Sequence, residues 1–189
     1  MTRSYPHNDP SKIHPVARLA VDILPALIIF LTAVIVLYGY AGTWPPAVSV
    51  ISKSMEPNMY VGDEVLIKGL SMTDVHTAYD SATTHYKTFG NYGNVIVYRP
   101  MGKMNVTPVI HRAMYYVEEG QPMWAHGGPP APHAGYITLG DNNGAIYDQL
   151  PGSGISPMEP VRKEWILGVA QFRVPYIGYI GYLRSLVPI

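Results

Sequence analysis

The chain has 189 residues, enough for one domain of ordinary size with a short additional element and too few for two large ones. Lys and Arg together number 13, as do Asp and Glu, and only 14% of residues are charged, so the sequence argues against a polyanion-binding surface and no nucleic-acid partner is expected. The absence of cysteine excludes disulfides, thiolate zinc sites and a thiol nucleophile, while 15 Tyr, 18 Gly and 18 Pro favour strands and turns over a helical bundle.

Residues 1–22 form a short tail that carries Arg3, Lys12 and Arg18. From Ile23 to Ala41 the sequence runs for 19 residues without a charge, which at a helical rise of about 1.5 Å per residue matches the hydrocarbon core of a bilayer. Residues 23–41 are therefore expected to be a single transmembrane helix. Pro25 falls near its start, where a missing N–H costs little, and Tyr38, Tyr40 and Trp44 resemble an interfacial aromatic belt at its end. A cleaved signal peptide is the competing reading, but the run exceeds the ~7–15 apolar residues of a typical signal core. A buried helix of a soluble core would ordinarily show a polar stripe, and this one has none. Three basic residues precede the span and none follows until Lys53, so the tail is expected on the cytoplasmic side and residues 42–189 outside the cytoplasm. Trp44-Pro45-Pro46 then stops the helix.

Beyond this connector the pattern is mainly β: strands are expected over 47–52, 64–70, 94–100, 106–119 and 135–140. Residues 71–93 interrupt them without a recognisable role, and 120–135, dense in Gly and Pro, reads as a loop. The apolar stretch 165–183 contains Arg173, Pro175 and three glycines, which favour a strand followed by an aromatic segment over a second span.

Three constellations carry chemistry. Ser52-Lys53-Ser54-Met55-Glu56-Pro57 closes the first predicted strand with a turn, where a serine could meet both a base and a scissile carbonyl. Serines before turns are also common caps. His111, inside the strand 106–119, supplies an imidazole whose unperturbed pKa of about 6.5 suits it to take a serine proton at neutral pH. The turn-rich segment 140–148 presents Asp141 and Asp148, either of which could orient that imidazole. Its Asp-Asn-Asn-Gly also suggests calcium-loop chemistry, but the spacing and the missing terminal Glu do not fit an EF-hand.

In this order the three segments resemble type I signal peptidases, in the branch of archaea and the endoplasmic reticulum that has histidine where the bacterial branch has lysine. Ser54-Met55-Glu56-Pro57 with Gly62-Asp63-Glu64-Val65 resembles the nucleophile box, Gly93 to Tyr98 the strand entering Ile110-His111-Arg112, Gly140 to Asn143 the carboxylate box, and Val174 to Gly178 the family's ending. The resemblance covers most of residues 47–182. It implies a signal-peptidase-type β-rich protease domain in which Ser54 is the nucleophile, His111 the general base and Asp148 the orienting acid. Ser52 falls where the family can use a hydroxyl to support the oxyanion, and Asp141 is left to hold its turn. Preprotein signal peptides are the implied substrates, membrane lipid the implied neighbour, and no metal, nucleotide or other cofactor is implied. Lys53 stands where glycine is usual, Asp148 lies one residue farther from Asp141 than the family pattern, and 71–93 is longer than usual. Two rivals remain: a Ser-Lys dyad using Lys68 or Lys103, and a membrane-tethered module that binds peptides without cutting them.

Overall fold

The computed structural model describes residues 15–124 and 126–179. Two compact units divide at Gly39. The first consists of most of helix α1 (Pro15–Ala41), whose segment Ile23–Ala41 is long and apolar enough to cross a membrane. The helix starts eight residues before the apolar run because Val16-Ala17-Arg18-Leu19-Ala20 are all compatible with helix and Pro15 suits its first turn. Pro25 consequently lies inside the helix rather than at its start, where its missing N–H removes one bond of the helical ladder. The tail 1–14 lies outside the described residues.

The second unit is mainly β. Its elements are β1 (Ala47–Ser49), β2 (Glu64–Lys68), α2 (Ala78–Thr84), β3 (Lys87–Thr88), β4 (Asn91–Tyr92), β5 (Val95–Tyr98), β6 (Val109–Val117), β7 (Pro122–Trp124), β8 (Gly127–Pro130), β9 (Gly135–Leu139) and β10 (Ile166–Val174). Six strands form one curled antiparallel sheet in the order β1-β2-β10-β5-β6-β9, and β3-β4 and β7-β8 are separate two-stranded ribbons. The central strand β5 is buried along its whole length. Its alternation sends Val95 and Val97 into a core with Val50, Met55 and Val65, and Ile96 and Tyr98 into another with Ala113, Val161 and Val169.

The expected strands are present but shorter, and both interruptions carry structure. Residues 71–93 hold α2, capped by the Thr77 hydroxyl on the Asp80 N–H, and then the β3-β4 hairpin. The Gly- and Pro-rich stretch 120–135, expected to be a loop, contains the β7-β8 ribbon, tied down by Ala131 N–H to the Gln121 carbonyl and Gly120 N–H to the Ala131 carbonyl. Edge strands tolerate Pro and Gly because one side of the backbone needs no ladder partner. The strand expected at the start of the apolar stretch 165–183 is paired over Ile166–Val174, after which residues 175–178 turn.

Candidate active site

Two strand parities assemble the site. In β6, His111 and Arg112 are consecutive and therefore project from opposite faces of the sheet. His111 pairs with Ile96 of β5, so Tyr98, two residues on, shares its face, as does Thr138 of β9, which pairs with Ala113. That face receives Asp148.

The histidine, 2% exposed, holds the two other groups in line. Its Nε2 is 2.9 Å from Ser54 Oγ and its Nδ1 is 2.7 Å from Asp148 Oδ2. Because a carboxylate oxygen accepts, Nδ1 carries the proton and donates, leaving the Nε2 lone pair for the Ser54 hydroxyl. Asp148, 1% exposed, is fixed by two further donors to Oδ2, the Tyr98 hydroxyl at 2.7 Å and the Thr138 hydroxyl at 2.6 Å. Gln149 braces Thr138 in turn, accepting its backbone N–H and donating to its hydroxyl. Burial, and next the negative charge of Asp148, push the Tyr98 phenol well above its ordinary range, so it remains a neutral donor.

The turn that carries Ser54 is held from across the fold. Asn142 N–H donates to the Ser54 carbonyl at 2.8 Å and the Asn142 side chain to the Lys53 carbonyl at 3.0 Å. Glycine is required at 140 because a Cβ there would stand 2.8 Å from the Ser54 carbonyl oxygen. Lys53, where the resemblance led glycine to be expected, is not among the residues with positive φ, so its side chain imposes no backbone strain there. Ser52 Oγ lies 3.2 Å from Ser54 Oγ.

Of the two carboxylates, Asp148 meets the histidine and Asp141 does not. Asp141 was expected to bind its own turn's N–H groups; instead it takes Arg112 in a two-pronged pair, with Nε to Oδ1 at 2.7 Å and Nη2 to Oδ2 at 2.6 Å, and accepts from Asn58 at 2.7 Å. The guanidinium's remaining hydrogens point at carbonyls of the 88–93 hairpin, with Nη1 2.9 Å from the Gly93 oxygen and 3.1 Å from that of Thr88. Residues 71–93, unassigned by the sequence, thus help enclose Arg112. With both its oxygens engaged in this way, Asp141 is committed to a side-chain lock.

A cleft of about 240 Å³ opens beside Ser54 and His111, bordered by residues 49–52 and 107–111, with Met55, Asn143 and Ile155 completing its wall. Strand β1 is an edge strand, and β9 begins pairing with β6 only at Arg112, so it gives Val109 to His111 no strand partner on that side. Lys68 instead sits 4.5 Å over the Tyr40 ring, and neither it nor Lys103 lines the cleft. Of the other described histidines, His76 and His85 pack on tyrosine rings, His126 is exposed, and His133 is tied to Glu159 at 2.7 Å. No group of three His, Asp or Glu among the described residues could hold a metal.

No family model and no curated protein matches the chain.

Sequence reasoning missed Tyr98, Thr138, Gln149 and the anchoring role of Arg112. Once 94–100 and 106–119 are paired, the register alone puts Tyr98 on the face of His111. Gln149 carries no such signal, because it follows a turn.

Proposed function

We propose that this chain is a membrane-tethered serine endopeptidase of the signal-peptidase kind that removes N-terminal signal peptides from exported preproteins. One observation carries the reading: a hydroxyl, an imidazole and a buried carboxylate stand in hydrogen-bonded sequence at the side of a cleft bordered by unpaired backbone. An extended peptide adds itself to such edges by main-chain hydrogen bonds, which brings a scissile carbonyl to Ser54.

Ser54 Oγ attacks that carbonyl while its proton passes to His111 Nε2. Asp148 stabilises the imidazolium so formed and keeps its Nδ1 proton in place. The Ser54 N–H and the Ser52 hydroxyl are the oxyanion donors in this scheme. The tetrahedral adduct expels the amine, which takes the proton from Nε2, and leaves an ester on Ser54; water, deprotonated by the same nitrogen, then releases the acid and restores the serine. The Ser-Lys alternative lacks a lysine along the cleft.

The apolar segment Ile23–Ala41 supports a membrane anchor, and the charge asymmetry around it supports an N-terminus in the cytoplasm with the protease domain on the opposite side. A tether shared with a membrane-inserted substrate raises the effective concentration of the cut site. The test is cleavage of a membrane-inserted preprotein by the purified full-length chain and by Ser54→Ala. Loss of all processing in the variant, with insertion and expression intact, is expected; substantial activity in Ser54→Ala refutes the assignment. Wild-type protein that binds the preprotein but neither cuts it nor reacts with a serine-directed acylating inhibitor would be a peptide-binding module.

A further inference from the structure

Three neighbouring asparagines around the nucleophile turn differ in what their carboxamides do. Asn58 donates to Asp141 at 2.7 Å and Asn142 to the Lys53 carbonyl at 3.0 Å, so both are used in holding the protein together. Asn143 lines the cleft with Ser54 and His111, and its carboxamide has no hydrogen-bond partner among the described residues. Its backbone nevertheless holds the turn: Asn143 N–H donates to the Gly140 carbonyl at 2.9 Å, and its own carbonyl accepts from Ile146 N–H at 3.2 Å. The side chain is therefore positioned without being consumed.

Its place is close to the reacting groups. The point where a Cβ on Gly140 would stand is 2.7 Å from Asn143 Nδ2 and 2.8 Å from the Ser54 carbonyl oxygen, so the amide and the nucleophile's main chain flank one spot. A carboxamide offers a donor and an acceptor in one plane, the complement of a peptide group, and the rest of the wall is largely apolar, with Val50, Ile51, Ile110 and Ile155. An apolar wall selects side chains by fit and leaves a bound peptide's main chain in need of partners.

We infer that Asn143 anchors the substrate: its carboxamide hydrogen-bonds the main chain of the extended peptide next to the carbonyl that Ser54 attacks. This rests on the proposed protease reading and adds to it a residue that touches substrate without taking part in proton transfer. A contact of this kind is made in the bound complex as well as in the transition state, so its loss raises KM more than it lowers kcat.

The experiment compares full-length wild type, Asn143→Ala and Asn143→Leu in three measurements: steady-state cleavage of a membrane-inserted preprotein, the rate of Ser54 labelling by a small fluorophosphonate that does not fill the cleft, and thermal stability. Leu keeps the volume and removes the amide; Ala removes both. The anchoring role requires that both variants lose about tenfold in kcat/KM, mainly through KM, while labelling rate and melting temperature stay at wild-type values. Unchanged kcat/KM overturns it. So does recovery of activity by Leu where Ala fails, which would make volume the cause, and so does a labelling rate that falls in step with turnover, which would make Asn143 a support of the nucleophile turn. If the wild type itself neither cleaves nor labels, the protease reading fails first and the anchor falls with it.

Discussion

His111 and Arg112 are adjacent in one strand, each bound to a buried aspartate, yet their surroundings suit them to opposite tasks. Asp141 gives both oxygens to Arg112 and Asn58, so every strong interaction in that cluster is already made and nothing gains by moving a proton. Asp148 concentrates three donors on a single oxygen, Oδ2, and one of those donors belongs to an imidazole whose other nitrogen faces a serine. The Arg112 pair is charged on both sides from the start. In the proposed reaction the His111 pair becomes an ion pair only when a proton arrives at Nε2. Burial alike on the two faces thus goes with a lock on one and, on the proposed protease reading, a proton relay on the other; the partner's ability to change charge makes the difference.

The largest effect that would break this contrast comes from Asp148→Asn. The amide carries no negative charge to stabilise the imidazolium, and with its NH2 turned to Nδ1 it favours the tautomer that directs an N–H at Ser54, so turnover should fall by roughly 10⁴ with little change in melting temperature. A loss of stability without loss of turnover would mean that Asp148 is the lock. Asp141→Asn is the mirror experiment. It leaves a buried guanidinium without its anion and should destabilise by about 3 kcal/mol, read in a denaturant titration. Any activity lost should return when the protein is assayed well below its melting temperature.

Gly140→Ala probes the link between the two faces, because residue 140 precedes Asp141 and abuts the Ser54 turn. A Cβ there meets the Ser54 carbonyl oxygen at 2.8 Å, a backbone atom that cannot swing away as a side chain could. The turn must shift, and a shift of this kind is expected to lower kcat by about 10². Wild-type turnover in this variant would show that the turn's position is not critical.

How much of this was legible in the sequence depended on the range of the interaction. The apolar run, the strand alternation and the identities of Ser54, His111 and the two aspartates are local signals, and the strands lie where the alternation put them. The choice between Asp141 and Asp148 was open because it depends on which face of β6 each carboxylate reaches, a matter of register between segments. Pro25 was misplaced because the apolar boundary, rather than the helix-compatible residues before it, was taken as the helix start. The 120–135 ribbon was missed because Gly and Pro signal turns strongly and edge strands weakly. The role of 71–93 could not be read at all, since its purpose lies in carbonyls that converge on Arg112.

Tyr98→Phe gives the smallest effect and the finest resolution of the relay. The substitution removes one of the three donors to Asp148 Oδ2 while keeping the ring that fills the core, so the cost at neutral pH should be about 1.5 kcal/mol, the lower end for a hydrogen bond to a charged group. The pH dependence separates this donor from simple packing. Burial, followed by the charge of Asp148, raises the Tyr98 phenol above its ordinary value of 10.0, so below about pH 10 folded and unfolded chains both hold the proton and the stabilisation is complete. Above that pH the unfolded chain releases its proton while the folded chain retains it, and stability must fall as pH rises through the folded value. Tyr115, Tyr136 and Tyr147 are raised chiefly by burial and leave a residual slope of the same sign. Denaturant midpoints measured from about pH 8 to pH 11.5 should therefore decline less steeply for Tyr98→Phe than for wild type. Identical slopes would mean that the phenol is not the buried donor to Asp148, and the relay would then rest on Thr138 and His111 alone.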